Sequence, residues 1–304
     1  MRIALWALAA LAIIAVLGGI ALQFAIARNG PAVLSAVDWL TGGSNPAAKL
    51  ANISTGDAHA QKLIVWGPET RDPSDPALPV LMFAHGGSWR SGDPVDYGFI
   101  SSALVPKGFI VVLLGYRLGP QGVYPAMIED TARAIHWTHE NIAQYGGDPE
   151  RIVVAGHSAG AYNVVMATLE RQWLGRLGMD ADAIAGVVGI SGPYDFYPFD
   201  SDSTVAAFGD APDPLTTQAF NHARGDAPPM LLIHGEKDTL VKLRNSRGLA
   251  QQITQAGGEA TLITYTDMAH NDPLVSLAAP WRSRRDLAGR IAEFAANVTA
   301  TRPR

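Results

Sequence analysis

Three side chains in this 304-residue chain have the types and positions that acyl transfer needs: a serine between glycines, an aspartate at a strand end and a late histidine. The serine is Ser158, in Gly156-His157-Ser158-Ala159-Gly160. Residues 151–155 (RIVVA) before it read as a strand, and residues 161–169 after it are compatible with a helix. A serine in a sharp turn between strand and helix presents its hydroxyl above a sheet. Flanking residues without bulk let the two elements pass closely. The helix N-terminus favours negative charge developing nearby.

A serine hydroxyl becomes a useful nucleophile only beside a base, and the base needs a partner that fixes its tautomer. In a strand–turn–helix setting of this kind the expected chain order is serine, acid, histidine. The chain has eight histidines. His59, His85, His136, His139 and His157 precede or adjoin Ser158, and His222 precedes any plausible acid. His234 ends an apolar run and is expected to pack in a turn. His270 remains, in the loop between the run at 260–265 and the last helical stretch. For the acid, the run at 230–233 (MLLI) leads into Asp238, with Glu236 and Asp267 as rivals. The expected triad is Ser158, Asp238 and His270.

The developing oxyanion needs N–H donors. The run at 79–84 ends in His85-Gly86-Gly87-Ser88-Trp89. Two glycines there let backbone N–H groups turn inward, so Gly86, Gly87 and Ala159 are expected to form the hole. His85 is expected to hold that loop and Trp89 to line the pocket. His136 and His139 lack a carboxylate partner in sequence and make a weak metal pair, so no metal or cofactor is expected.

These residues require a scaffold. Short apolar runs at 79–84, 109–114, 151–155, 185–190, 230–233 and 260–265 read as strands buried on both faces, with an edge strand at 63–66. Between them, Ile128, Ala132, Ile135, His139 and Ile142 repeat at helical spacing; 243–256 and 287–298 behave alike. Alternating strands and helices imply an α/β fold, a mostly parallel sheet with helices on both faces. Ligands then bind beyond the carboxyl ends of the strands, where the three side chains fall. Residues 192–226 break the alternation and read as a small cap-like insertion rich in aromatic residues. Tyr194 from this insertion and Trp89 from the loop after 79–84 are the expected contributions to a substrate pocket. The catalytic domain is expected over 61–304, with 28–60 as a tether carrying a short helical piece at 32–40.

Residues 3–27 are almost wholly apolar. The run suits a membrane anchor, or a signal peptide cleaved after the small residues 25 and 27. Arg2 before the run and Arg28 after it hardly set an orientation, and because single N-terminal spans commonly serve as export signals the catalytic domain is expected outside the cytoplasm. Net charge is −5 with no basic run, so a nucleic-acid partner is not expected. There are no cysteines, which removes disulfides and a thiol nucleophile.

Several motifs then converge. His85-Gly86-Gly87-Ser88-Trp89 with Ser91-Gly92-Asp93, Tyr116-Arg117-Leu118, Tyr145-Gly146-Gly147-Asp148-Pro149 and the pentapeptide at 156–160 resemble the bacterial carboxylesterase branch of the α/β-hydrolases. That branch includes feruloyl-esterase-like, hormone-sensitive-lipase-like and kynurenine-formamidase-like enzymes. The resemblance spans roughly residues 63–298. It implies hydrolysis of small-molecule carboxylic esters without cofactor or metal. Ser88 stands where lipase-like members carry a third glycine, which inclines the resemblance toward the feruloyl-esterase and formamidase side. The same chemistry on an amide and a catalytically silent binding module of the cell envelope are the alternatives.

Overall fold

The computed structural model describes residues 2–42, 47–72 and 74–300, with side chains from residue 16 onward apart from Ala27. The expected apolar runs form strands because they are rich in Val, Ile and Leu and are covered on both sides. The strands are β1 (Ala47–Ser54), β2 (Lys62–Pro68), β3 (Leu78–Ala84), β4 (Ile110–Leu114), β5 (Gly147–His157), β6 (Gly186–Ile190), β7 (Met230–Gly235) and β8 (Ala260–Tyr265). They join in one sheet in the order β1-β2-β4-β3-β5-β6-β7-β8. The pairs β1/β2 and β2/β4 are antiparallel, and every pair from β4 to β8 is parallel.

Helices cover both faces. They are α1 (Arg2–Thr41), α2 (Gly98–Leu104), α3 (Ala126–Asn141), α4 (Ala159–Leu169), α5 (Gln172–Gly175), α6 (Asp202–Phe208), α7 (Arg244–Gln255), α8 (Asp272–Val275) and α9 (Leu287–Ala300). On one face Ile135 of α3, Val164 of α4 and Leu249 of α7 pack over Val80, Met82 and Val154. On the other, Phe99 of α2 and Ile291 of α9 pack over Leu81, Phe83 and Val153. Alternate strand residues thus feed two separate cores, which is why the runs read as continuously apolar.

Two expectations for the N-terminal third are overturned. Among the described residues, 28–42 and 47–60 are not a tether. Residues 32–40 belong to α1, and β1 forms the sheet edge, so β2 at 62–68 is an inner strand. β1 escapes a periodicity reading because only one of its inward residues is large: Ala47, Ala51 and Ile53 lean on the core while Lys49, Asn52 and Ser54 face solvent. Helix α1 breaks at Asn29, whose backbone is extended. Beyond that break its second half is fastened to the domain. Asp38, almost fully buried, accepts bonds from the Ala279 N–H (2.7 Å) and from Arg282 Nη2 (2.8 Å). Ser35 Oγ donates to the Asp96 carbonyl at 2.6 Å, and Asn29 Nδ2 donates to Asp96 Oδ2 at 2.7 Å.

Among the described residues no single helix is long and apolar enough to cross a membrane. The segments Val16–Ile26 and Arg28–Thr41, bent by 113° at the break, reach that length and composition only together.

The Asp38 bonds predict that Asp38→Ala destabilises the protein by about 2–3 kcal/mol, since two bonds to a buried carboxylate vanish and Arg282 loses its counter-charge. Urea unfolding checks this. A change under about 0.5 kcal/mol, as a loose surface helix would give, would show that the attachment is not structural.

Candidate active site

The sheet order places a topological switch between β3 and β5, because β4 lies on one side of β3 and β5 on the other. Ala84 and Gly156, near the two strand ends, are paired across that gap. The loop after β3 and the turn after β5 therefore open into the same crevice. Ser158 occupies the turn with φ 54° and ψ −120°, a conformation that L-residues avoid. Its N–H donates to the Ile190 carbonyl at 2.8 Å, which anchors the turn to β6. Gly160 is required two residues on: a Cβ there would lie 2.2 Å from the Ala84 carbonyl oxygen.

β7 and β8 end two and three strands away from β5. The chain after β7 turns back so that the Asp238 carboxylate faces the sheet. Its Oδ1 accepts from the N–H groups of Leu240 (2.9 Å) and Val241 (2.8 Å). Its Oδ2 lies 2.7 Å from His270 Nδ1, and His270 Nε2 lies 2.9 Å from Ser158 Oγ. The three residues expected from sequence thus form one continuous hydrogen-bonded chain. Ser158 is 7% and His270 9% exposed, so the chain is shielded but reachable. Glu236 is engaged by Thr264 and Asp267 by Arg285, both at the surface, so neither rival meets His270.

Burial alone would push the Asp238 carboxyl up. The bonds from His234 and His270 outweigh it and hold the group well below the usual carboxylate range. His234 is more than turn packing. Its Nε2 lies 3.2 Å from Asp238 Oδ2 and donates to the Val241 carbonyl at 2.8 Å, and its Nδ1 meets Ser246 Oγ at 2.8 Å. His157, set aside by chain order, also supports the site. Burial, with His270 alongside, pushes its imidazole down to about 3, so it is neutral near pH 7. Its Nε2–H donates to the His270 carbonyl at 3.1 Å, fixing the backbone that carries that imidazole.

In the loop after β3, His85 is buried and its Nδ1–H donates to the Gly86 carbonyl at 2.8 Å. Its ring stacks on Tyr116 at 4.6 Å, and the Tyr116 hydroxyl donates to the His85 carbonyl at 2.8 Å. Gly87 takes φ 125°, and Ser88 and Trp89 follow at φ 53° and 56°. This left-handed run swings the backbone toward Ser158. Ser88, treated in sequence only as a departure from a glycine motif, borders the crevice on both sides of the nucleophile.

Two clefts flank Ser158. One, of about 340 Å³, lies under the insertion and is walled by Trp89, Ala159 and Phe196 together with polar residues such as Asp200, Ser201 and Lys242. Trp89 is fixed by an Nε1–H bond to Asn163 Oδ1 (3.0 Å) and by edge contacts to Tyr162 and Phe208. Tyr194 does not reach either cleft and is corrected to a packing residue. It is fully buried, with its hydroxyl seated against Gly189 and Gly192, because the chain dives inward as it leaves β6. Phe196, two residues on, meets the cleft instead. The second cleft, about 580 Å³, lies between Ser158 and the second half of α1. Among the described residues no cluster of three or more His, Asp or Glu side chains could hold a metal ion.

Known proteins place this architecture. The chain is 30% identical over 255 residues to the esterase LipQ of Mycobacterium tuberculosis, covering 78% of this chain and 60% of that protein. It is 28% identical over 259 residues to a probable isoprenylcysteine alpha-carbonyl methylesterase of Oryza sativa, covering 78% and 61%. The chain thus spans about 60% of the length of these curated relatives. Among solved structures, a truncated carbohydrate esterase from gut microbiota superposes with a TM-score of 0.73 at 20% identity, covering 85% of this chain and 99% of that one. A thermostable esterase from Pseudomonas putida gives 0.69 at 21% identity, with 88% of each chain covered. At such identities the likeness establishes the α/β-hydrolase fold. The BD-FAE family model matches residues 68–253, and on this match the chain is a member of the BD-FAE family of α/β-hydrolases.

Proposed function

We propose that the protein is a serine carboxylesterase. The observation that carries this reading is the chain of bonds from Asp238 Oδ2 through His270 to Ser158 Oγ. Esterase relatives over most of the chain support it. Ser158 Oγ attacks the ester carbonyl while His270 Nε2 takes its proton. Asp238 orients the imidazole and stabilises its cation. His270 returns the proton to the leaving alcohol, and water, activated by the same histidine, hydrolyses the acyl-enzyme. The N–H groups of Gly87 and Ala159, with Ser88 beside them, receive the oxyanion. Gly86 is the other donor proposed there, and a Cβ on it would come within 2.9 Å of His157 Nδ1.

A catalytically silent module has no need for all three groups within bonding distance, and their alignment favours turnover. Comparing short acyl esters with N-formyl amides and aminoacyl anilides discriminates ester from amide chemistry. The apolar segment before Asn29 acts as a membrane anchor or export signal. Supporting this, Val16, Leu17, Ile20 and Phe24 all face outward from α1. The catalytic domain then works beyond the cytoplasm.

Ser158→Ala is expected to lower kcat on p-nitrophenyl acetate by roughly 10⁶-fold, with labelling by a fluorophosphonate lost; undiminished turnover would refute the mechanism. Asp238→Asn is expected to cost roughly 10⁴-fold. Its stability effect has a definite sign with pH. The folded carboxyl sits below the unfolded value of about 3.9, so its ionised form contributes stability at neutral pH and loses it as pH falls below about 4 toward the lower folded value. Urea unfolding of wild type and Asp238→Asn should show a gap at pH 7 that narrows below pH 4, and a gap independent of pH would contradict this. Gly87→Ala puts a Cβ 1.9 Å from the Ser91 carbonyl oxygen at a left-handed φ. It is expected to lower kcat by roughly 10²–10³-fold with folding, read by near-UV circular dichroism, retained; kcat within twofold of wild type would remove Gly87 from the hole.

A further inference from the structure

The cleft beside α1 has a composition and position that the esterase reading leaves unexplained. Its floor is Ser158 and His270. One wall continues past the base through Leu274 and Val275, and the opposite wall is Pro31, Leu34 and Val37 of α1. It is a predominantly apolar slot of about 580 Å³, within the range of small-molecule sites. The wall from α1 is held in place by the buried Asp38 and by Ser35, so the slot is pre-formed. Beyond it, Leu22 and Ile26 of the apolar segment extend the same wall outward. At its rim Leu240 is 69% exposed.

The chemistry assigns the slot a side of the substrate. His270 Nε2 must return its proton to the leaving oxygen, so the leaving alcohol lies on the His270 side of the tetrahedral carbon. That side opens into the slot. The cleft beneath the insertion, on the Ala159 and Trp89 side, is smaller and carries Asp200, Ser201 and Lys242 along its wall.

We infer, on the esterase reading above, that the slot between α1 and α8 is the alcohol-binding site and that the substrate is an ester of a long unbranched alcohol with a short acyl group. The ester bond between acyl carbon and alkyl oxygen breaks, the proton from Ser158 passes through His270 to the alkyl oxygen, and the released long-chain alcohol occupies the slot while water completes the acid. Each methylene buried in the slot strengthens binding roughly fourfold, so chain length on the alcohol side sets the preference.

The test compares kcat/KM for decyl acetate, ethyl acetate and p-nitrophenyl decanoate in the full chain and in Val33→Phe/Val37→Phe, which fills the slot from α1. The wild type should prefer decyl over ethyl acetate at least tenfold, and the variant should lose at least tenfold of that ratio. An unchanged ratio, or a loss confined to p-nitrophenyl decanoate, overturns the inference. A second readout does not need turnover. In Ser158→Ala, 11-bromo-1-undecanol should quench the fluorescence of Trp281, which lines the slot, and Trp281→Phe should abolish the signal. Binding at least tenfold weaker after adding Val33→Phe/Val37→Phe supports the inference, and binding of equal strength overturns it. A wild type that hydrolyses no ester yet binds the alcohol in the slot would sink the esterase reading alone.

Discussion

The site depends on one strained turn. Ser158 holds a backbone conformation that costs on the order of 1–3 kcal/mol for a residue with a side chain. The strain persists because its surroundings leave the chain no alternative. The Ser158 N–H is committed to Ile190, and α4 must start directly above the β3 carbonyls, where Gly160 alone clears Ala84. Everything else in the site is placed relative to that turn. The glycine loop leaves the neighbouring strand β3, and Asp238 and His270 arrive from β7 and β8 on the other side. A shift of the turn by one residue would separate the nucleophile from both.

Around this fixed point the electrostatics are arranged in layers. Asp238 is nearly inaccessible, yet three groups direct hydrogens at its two oxygens, two backbone N–H groups and His270, and His234 Nε2 stands 3.2 Å away. A buried carboxylate without such partners would take up a proton and lose its value to the imidazole. The base is held from two directions, its ring by Asp238 and its backbone by His157. Because His157 is kept neutral by burial, it supports His270 without adding a competing positive charge.

Much of this was legible in the residues. The inner strands announced themselves as unbroken apolar runs because each is covered on both faces. Chain order alone picks out the three side chains that lie within bonding distance, since only one histidine follows a strand-end acid. What was illegible had particular causes. β1 holds a single strong strand former, Ile53, among Ala, Lys and Asn, types with little β preference, and is recruited by pairing along β2 rather than by its own pattern. Asp38 gives no local sign of its partners, which lie 241 and 244 residues away. Tyr194 looked like its aromatic neighbours, and only the inward path of the chain after β6 separates it from Phe196. His234 carried a role as a support that spacing cannot distinguish from turn packing.

The edge formed by β1 has a consequence for the molecule in solution. An open sheet offers unpaired N–H and C=O groups at its outer strands, a template on which a second chain can add. Here the outermost strand carries outward-facing Lys49, Asn52 and Ser54, and its register shifts between Lys49 and Ala51. A charge and an irregularity on this border strand make a poor template for further pairing. The inner strands, which are apolar enough to aggregate if left at a border, are thereby kept from becoming one.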